Sequence, residues 1–141
     1  MIETDLTSVP DVEVVQLKFP AGLPGFPQLH DFELAPWGAD DSPFSTLVSV
    51  DDPEVGFVVV SPWDFHPDYE FDLDDGTASR LGISGPDDAV VLCVVTLHDR
   101  PEDATVNLLG PIVVNRHTLE SCQAVLPSSG YSVKTPLTAP V

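Results

Sequence analysis

The sequence predicts a mainly β fold, namely a compact, antiparallel, β-barrel-like single domain with one short helix. The chain has 141 residues, near the size of one ordinary domain, and 43% of them are apolar. Twenty are valine, which favours half-buried pleated strands. Short apolar runs are separated by proline, glycine and aspartate-rich turns, a spacing typical of antiparallel barrels and sandwiches.

Two kinds of run predict the strands. VEVVQLKF alternates imperfectly, whereas VGFVVVS and AVVLCVVTL are almost wholly apolar and predict burial on both faces. In chain order the predicted strands are Val12–Phe19, Leu29–Leu34, Phe44–Val50, Val55–Ser61, Tyr69–Leu73, Val90–Leu97, Val106–Leu109, Ile112–Asn115 and Cys122–Leu126.

The predicted strand Tyr69–Leu73 separates two kinds of side chain. Because strands place alternate residues on opposite sides, Tyr69, Phe71 and Leu73 are expected in the core. The same alternation is expected to turn a set of carboxylates to solvent, namely Asp64, Asp68, Glu70 and Asp72.

Helix is scarce in the sequence. The best candidate is DDGTASRLG, where Asp74 or Asp75 caps the first turn and Gly82 ends the last one. Thr118–Val125 fits a helix as well as a strand.

The domain is expected to span residues 1–141, with loose termini at 1–10 and 135–141. Thr135–Val141 contains prolines, which cannot donate a hydrogen bond to a sheet. No repeat, low-complexity tract or composition shift divides the chain.

The charge is strongly acidic: 23 acidic residues against five lysines and arginines give a formal net charge of -18. Such a surface repels phosphate backbones and anionic lipids and attracts basic proteins, so we expect no direct nucleic-acid or membrane binding. The acidity serves either a basic partner or solubility alone. The N-terminus lacks the pattern of a signal peptide and no run approaches about 20 apolar residues, which predicts a cytoplasmic protein.

Motifs for catalysis or cofactor binding are lacking in the sequence. The four histidines stand singly, the DLDDG run does not match a calcium loop, and no G-x-S-x-G or C-x-x-C occurs. Cys93 and Cys122 are expected as reduced thiols. We therefore predict a binding module with no catalytic residues, no metal and no cofactor.

The composition of the segment Ser61–Pro67 indicates a binding function. Two prolines flank Trp63, Phe65 and His66, so the segment is expected to form a loop, and large aromatic side chains are costly to expose without a use. The alternative is that Trp63 and Phe65 fold back and plug one end of the barrel.

Three stretches closely resemble the FliW family of flagellar assembly factors: GLPGF, DDPEVGFVVVSPWDFHPDYEFDL and TVNLLGPIVVNR. The resemblance implies a mostly antiparallel, barrel-like fold and a cytoplasmic, chaperone-like regulator without catalysis. It further implies two partners, flagellin and the translational repressor CsrA, with CsrA inhibited non-competitively when flagellin has been exported. It also favours a hairpin over a helix at Thr118–Val125.

On this resemblance we expect the partner-binding residues to lie around the loop and at two strand ends, and the chain to be a monomer when free. The candidates are Trp63, Asp64, Phe65, Pro67, Asp68, Tyr69, Glu70, Asn107, Asn115 and Arg116. The last three fit a purely structural role equally well, since asparagine beside a strand end commonly bonds loop backbone. Two other functions stay open: an acidic domain with a different basic client, and a small carboxylate-based hydrolase.

Overall fold

The computed structural model describes residues 14–38, 42–127 and 129–137. Within these ranges the chain forms nine strands and one α-helix. The strands are β1 Val15–Lys18, β2 Asp31–Pro36, β3 Phe44–Ser49, β4 Gly56–Val60, β5 Ala89–Thr96, β6 Thr105–Val106, β7 Ile112–Asn115, β8 Ser121–Gln123 and β9 Thr135–Pro136, and the helix is α1 Asp75–Leu81. The predicted mainly β fold is confirmed.

Strands β1 to β5 form an antiparallel meander, and the sheet then branches at β5. The first half of β5 pairs with β7, and its second half pairs with both β4 and β6. Strand β8 pairs with β7, and β9 pairs with β6. The branch folds the sheet back towards β1, where a single parallel bridge joins Lys18 to Glu120. The sheet is therefore barrel-like without being closed by a continuous ladder.

The interior is built from alternate residues of these strands. Phe19, Phe32, Leu47 and Ile112 are fully buried, and the rings of Phe19 and Phe32 meet edge to face at 5.3 Å. A second cluster, around Val60, Cys93, Val106, Leu108 and Tyr69, lies beneath the loop that follows β4. This second cluster is the support of the candidate site.

The turn GLPGF depends on its first glycine. Gly22 has φ of +70°, and a Cβ at this position would lie 2.5 Å from the Phe26 carbonyl oxygen. Leu23 and Phe26 then form an isolated antiparallel bridge. This stretch of the family resemblance is thus explained by backbone geometry.

Helix α1 forms where the capping pattern predicts it. The Asp74 carboxylate accepts a hydrogen bond from the Thr77 N–H at 3.0 Å, and Gly82 ends the helix in the left-handed conformation with φ of 72°. None of the helices in the described ranges is long and apolar enough to cross a membrane.

The ambiguous segment Thr118–Val125 is a hairpin arm, as the resemblance implied. Leu119 has a positive φ of 67°, and its N–H bonds to the Asn115 carbonyl oxygen at 2.7 Å. The chain then pairs with β7 as β8, which excludes the helical alternative.

Two sequence predictions are wrong. Tyr69–Leu73 forms no strand, because no neighbouring strand among the described residues pairs with it. Residues 135–137 are not loose: Thr135–Pro136 pair with β6 at the edge of the sheet, and Leu137 is buried. A proline is tolerated at such an edge because its missing N–H faces away from the ladder. The other residues expected to be loose, 1–10 and 138–141, lie outside the described ranges.

Candidate functional site

The candidate site begins where β4 ends. Pro62 is buried, and Pro62–Asp64 form a 3-10 turn in which the Pro62 carbonyl accepts hydrogen bonds from the Phe65 and His66 N–H groups at 3.2 and 2.8 Å. This turn confirms the predicted loop over Ser61–Pro67 and carries Trp63 to the surface.

Trp63 is a fixed and partly exposed aromatic side chain. It is 40% exposed, and its indole N–H donates to the Tyr69 carbonyl oxygen at 2.7 Å. Its ring lies 5.9 Å from that of Tyr69. The indole is therefore held in place while part of it stays exposed, so the alternative in which Trp63 plugs the barrel does not apply.

Phe65 and His66 fasten the loop to the body of the protein. Phe65 is half-buried on the second core cluster, with its ring 6.0 Å from that of Phe44. His66 Nε2 lies 2.9 Å from the Pro136 carbonyl oxygen, which ties the loop to β9. Phe65 thus follows the alternative role, that of packing against the barrel.

Tyr69 is the buried anchor of the segment. It is 4% exposed, and its hydroxyl donates to the Leu108 carbonyl oxygen at 2.8 Å. Burial raises the pKa of Tyr69, so the hydroxyl stays protonated as a donor. The Tyr131 ring packs against it at a tilt of 57°, with the ring centroids 4.7 Å apart.

A groove of about 730 Å³ opens beside Trp63. We call it the main groove; it runs between the extended segment Tyr69–Leu73, α1 and the strands β5 and β7. Its apolar lining is provided chiefly by Trp63, Tyr69, Phe71, Leu73, Ile83 and Val91. Three carboxylates also line it, those of Glu70, Asp72 and Asp75, and no lysine or arginine does. The lining of the main groove is therefore mainly apolar, and its charged residues are all acidic.

The acidic residues of the segment fall into two groups. Asp64, Asp68, Glu70 and Asp72 are all exposed, as the alternation predicted, although the segment is not a strand. Glu70 and Asp72 line the main groove, whereas Asp64 and Asp68 lie outside its lining, as does the exposed Pro67.

The two candidate asparagines lie at strand ends, Asn107 just after β6 and Asn115 as the last residue of β7, and outside the main groove. Asn107 Oδ1 accepts from the Leu109 and Gly110 N–H groups at 3.1 and 2.9 Å, which turns the chain away after β6. Asn115 is 3% exposed, and its Nδ2 donates to the Leu81 carbonyl oxygen at 2.6 Å.

Asn115 also shapes the β7–β8 turn, since its Oδ1 accepts from the His117 and Thr118 N–H groups. Arg116 is exposed in that turn, and its N–H bonds to the Asp88 carbonyl oxygen. The structure thus brings together Trp63, Tyr69 and Glu70 at the groove and places Asn107, Asn115 and Arg116 elsewhere.

The thiols and two carboxyl groups with shifted pKa values lie outside the lining of the main groove. Burial raises the pKa of the Cys93 thiol to about 12 and also raises that of Cys122, so neither is a thiolate at neutral pH. Hydrogen bonds from Thr77 lower the pKa of Asp74, and one from the Ser84 N–H lowers that of Asp88, the opposite of what a general acid needs. The described residues contain no group of three metal-ligating side chains.

Two residues of the site were not predicted from the sequence. Tyr131 bonds through its hydroxyl to both the N–H and the carbonyl oxygen of Glu70, 61 residues away. Asp75 adds a third carboxylate to the groove from the start of α1. Neither position carries a local signal, because each reaches the site only through the tertiary fold.

Comparison with known proteins gives a consistent result. The family model described as "FliW protein" matches residues 2–137. The flagellar assembly factor FliW of Bacillus subtilis (strain 168) is 42% identical, over 84% of this chain and 82% of its own. That of Clostridium novyi (strain NT) is 42% identical, over 86% of this chain and 84% of its own. A crystal structure of the flagellar assembly factor FliW matches with a TM-score of 0.84 and 36% identity, over 89% of this chain and 86% of that one.

Proposed function

This chain belongs to the FliW family, as a flagellar assembly factor rather than an enzyme, and we propose that it acts by binding two proteins in turn. In this proposal it holds flagellin as a chaperone-like partner. Once flagellin has been exported, it binds the translational repressor CsrA and inhibits it non-competitively, which couples flagellin synthesis to export.

One observation supports protein binding at the loop. The exposed indole of Trp63 is fixed by its hydrogen bond to Tyr69 and stands at the edge of an apolar groove. Binding hot spots are typically aromatic side chains of this kind, because a rigid ring loses little conformational freedom on association. Trp63 and Glu70 are therefore the core of the proposed surface, with Tyr69 buried beneath Trp63 as its support. Asp64, Phe65, Pro67 and Asp68 lie around them.

The charge supports a basic partner for one of the two steps. The proposal takes CsrA to be a small RNA-binding dimer. A protein that binds RNA presents positive charge to the phosphates. A chain with a net charge of -18 attracts such a surface over about 10 Å at moderate salt. We further propose that the chain works in the cytoplasm as one domain and is a monomer when free.

The deciding experiment is a binding assay with purified flagellin and CsrA from the same source. Titration calorimetry should give a one-site isotherm with each protein, and pre-saturation with flagellin should abolish CsrA binding if the two act in turn. If neither flagellin nor CsrA gives a heat of binding, the proposal is overturned. The alternative, an acidic domain with another basic client, is then favoured. Simultaneous binding of both would overturn the switch while leaving an assembly factor with two sites.

A further inference from the structure

The segment that follows Tyr69 has the side-chain pattern of a strand without a neighbouring strand. Glu70 and Asp72 are exposed, whereas Phe71 and Leu73 are half-buried. The N–H and carbonyl oxygen of Glu70 both bond to the Tyr131 hydroxyl, at 3.1 and 2.9 Å. No hydrogen bond joins the backbone groups of Phe71, Asp72 or Leu73 to another residue in the described ranges.

This segment is a ridge between two depressions. On one side lies the main groove, and on the other a side groove of about 480 Å³, lined in part by Val125, Leu126 and Tyr131. Glu70, Phe71 and Asp72 line both grooves. Val125 is 60% exposed and Trp63 is 40% exposed, so an uncovered apolar side chain borders each groove. Each depression therefore offers apolar contact next to unpaired backbone.

We propose that Phe71–Leu73 is a docking edge on which an extended, basic segment of a protein partner pairs as an added strand. Unpaired N–H and carbonyl groups along an extended chain are a template for such pairing. Alternate apolar side chains of the incoming segment then enter the main groove, and its lysines or arginines face Glu70, Asp72 and Asp75.

Charge and backbone chemistry together favour an extended, basic segment over a helix as the ligand of the docking edge. Among the described residues neither groove is lined by a lysine or arginine, so a basic partner segment supplies the charge opposite to Glu70, Asp72 and Asp75. A helix satisfies its own backbone internally and would leave the groups of Phe71–Leu73 unpaired, whereas an extended segment bonds to them. The inference rests on the proposed function in taking a protein as the ligand of this surface.

The test uses labelled synthetic peptides and fluorescence anisotropy on the full chain. The probe is an eight-residue peptide of alternating leucine and lysine, compared with one of the same composition in which leucines recur at helical spacing. We expect the alternating peptide to bind at least tenfold more tightly. Tighter binding of the helical-spacing peptide, or no binding of the alternating one, would overturn the proposal.

Backbone methylation makes the test specific for strand pairing. In a paired strand only every second N–H faces the neighbour. The alternating peptide is therefore made in two further forms, N-methylated on its leucines or on its lysines. One form should bind at least tenfold more weakly and the other like the unmodified peptide. If both methylated forms bind like the unmodified peptide, the backbone of Phe71–Leu73 is not the recognised feature.

Matched protein variants place the peptide on the ridge. Asp72→Asn should weaken peptide binding about threefold at low salt, the scale of one exposed charge pair, whereas Glu33→Gln on the exposed face of β2 should leave it unchanged. Equal effects would show nonspecific attraction and refute the assignment. If flagellin and CsrA bind but the peptide does not, this inference alone fails; if the peptide binds but neither protein does, the proposed function alone fails.

Discussion

Replacing Trp63 with alanine removes the exposed aromatic side chain of the proposed surface, and its effect on partner binding can be worked out from the structure. A tryptophan side chain buries up to about 250 Å², so the 40% that is exposed leaves roughly 100 Å² for a partner. At about 25 cal/mol per Å² this area is worth about 2.5 kcal/mol. Ordering of the indole costs little, because its N–H is already bonded to Tyr69. We expect a net loss of about 2 kcal/mol, or roughly a 30-fold rise in the Kd for flagellin or CsrA.

The measurement is titration calorimetry on the wild type and three variants. Trp37→Ala is the matched control, since Trp37 is similarly exposed, at 44%, but lies outside the main groove. Trp63→Phe keeps an aromatic ring and loses the N–H, and we expect it to fall between wild type and Trp63→Ala. The lost hydrogen bond should cost about 1 kcal/mol of folding stability, which leaves the protein folded. Unchanged affinity in Trp63→Ala, equal losses in Trp37→Ala, or unfolding of Trp63→Ala would refute the reasoning.

Three further predictions concern stability and association. Asn115→Ala should lower the free energy of unfolding by about 3 kcal/mol, because the buried Leu81 carbonyl and the partly buried N–H groups of His117 and Thr118 lose their partner. Asn107→Ala should lower it by about 1 kcal/mol, and equal losses in urea denaturation would contradict this. Hydrogen bonds from Thr77 lower the folded-state pKa of Asp74, so its contribution to stability is present above its ordinary pKa of 3.8 and is lost as pH falls through the folded pKa. The difference in Tm between wild type and Asp74→Ala should therefore be constant from about pH 8 to 5 and shrink below about pH 4, and a difference independent of pH would show that the charge of Asp74 is irrelevant. Finally, association with CsrA should slow markedly with added salt while dissociation changes less, and salt-independent association in stopped-flow mixing would reduce the net charge to a solubility feature.

Most of the sheet could be predicted from the sequence because its strands coincide with short apolar runs that are visible locally. The apolar runs at Gly56–Val60 and Ala89–Thr96 become strands that are mostly buried or half-buried, and the caps Asp74 and Gly82 set the limits of α1. Local pattern was insufficient at Tyr69–Leu73. Alternation there separates the inward side chains, of which Tyr69 is buried and Phe71 and Leu73 are half-buried, from the exposed carboxylates. A strand also needs a neighbour, and alternation does not reveal whether one exists.

The site could be predicted only in part for the same reason. Prolines and aromatic residues at 61–67 indicated a surface loop, and Trp63 does stand exposed on it. The main groove needs walls from Ile83, Val91 and Val113, which are distant in sequence and look like ordinary core residues. The strand β9 escaped prediction because a proline near a chain end usually indicates loose structure, whereas an edge position tolerates it.

Under the proposed function, the arrangement of acidic residues also predicts the mechanism by which this chain inhibits CsrA. An RNA mimic would present its carboxylates along a path that replaces phosphates in the RNA site, but here Glu70 and Asp72 border an apolar groove while Asp64 and Asp68 lie outside it. Such a surface suits docking on CsrA beside its RNA site. The affinity of CsrA for RNA is then lowered through coupling between the RNA site and the docking site. Coupling is reciprocal and finite, typically about 1–3 kcal/mol, so inhibition should level off at a residual RNA affinity and a ternary complex should form. The measurement is a titration of CsrA–RNA with this protein at several RNA concentrations. If the concentration for half-inhibition instead climbs in proportion to RNA without limit, the acidic residues compete with RNA directly and the coupling mechanism is wrong.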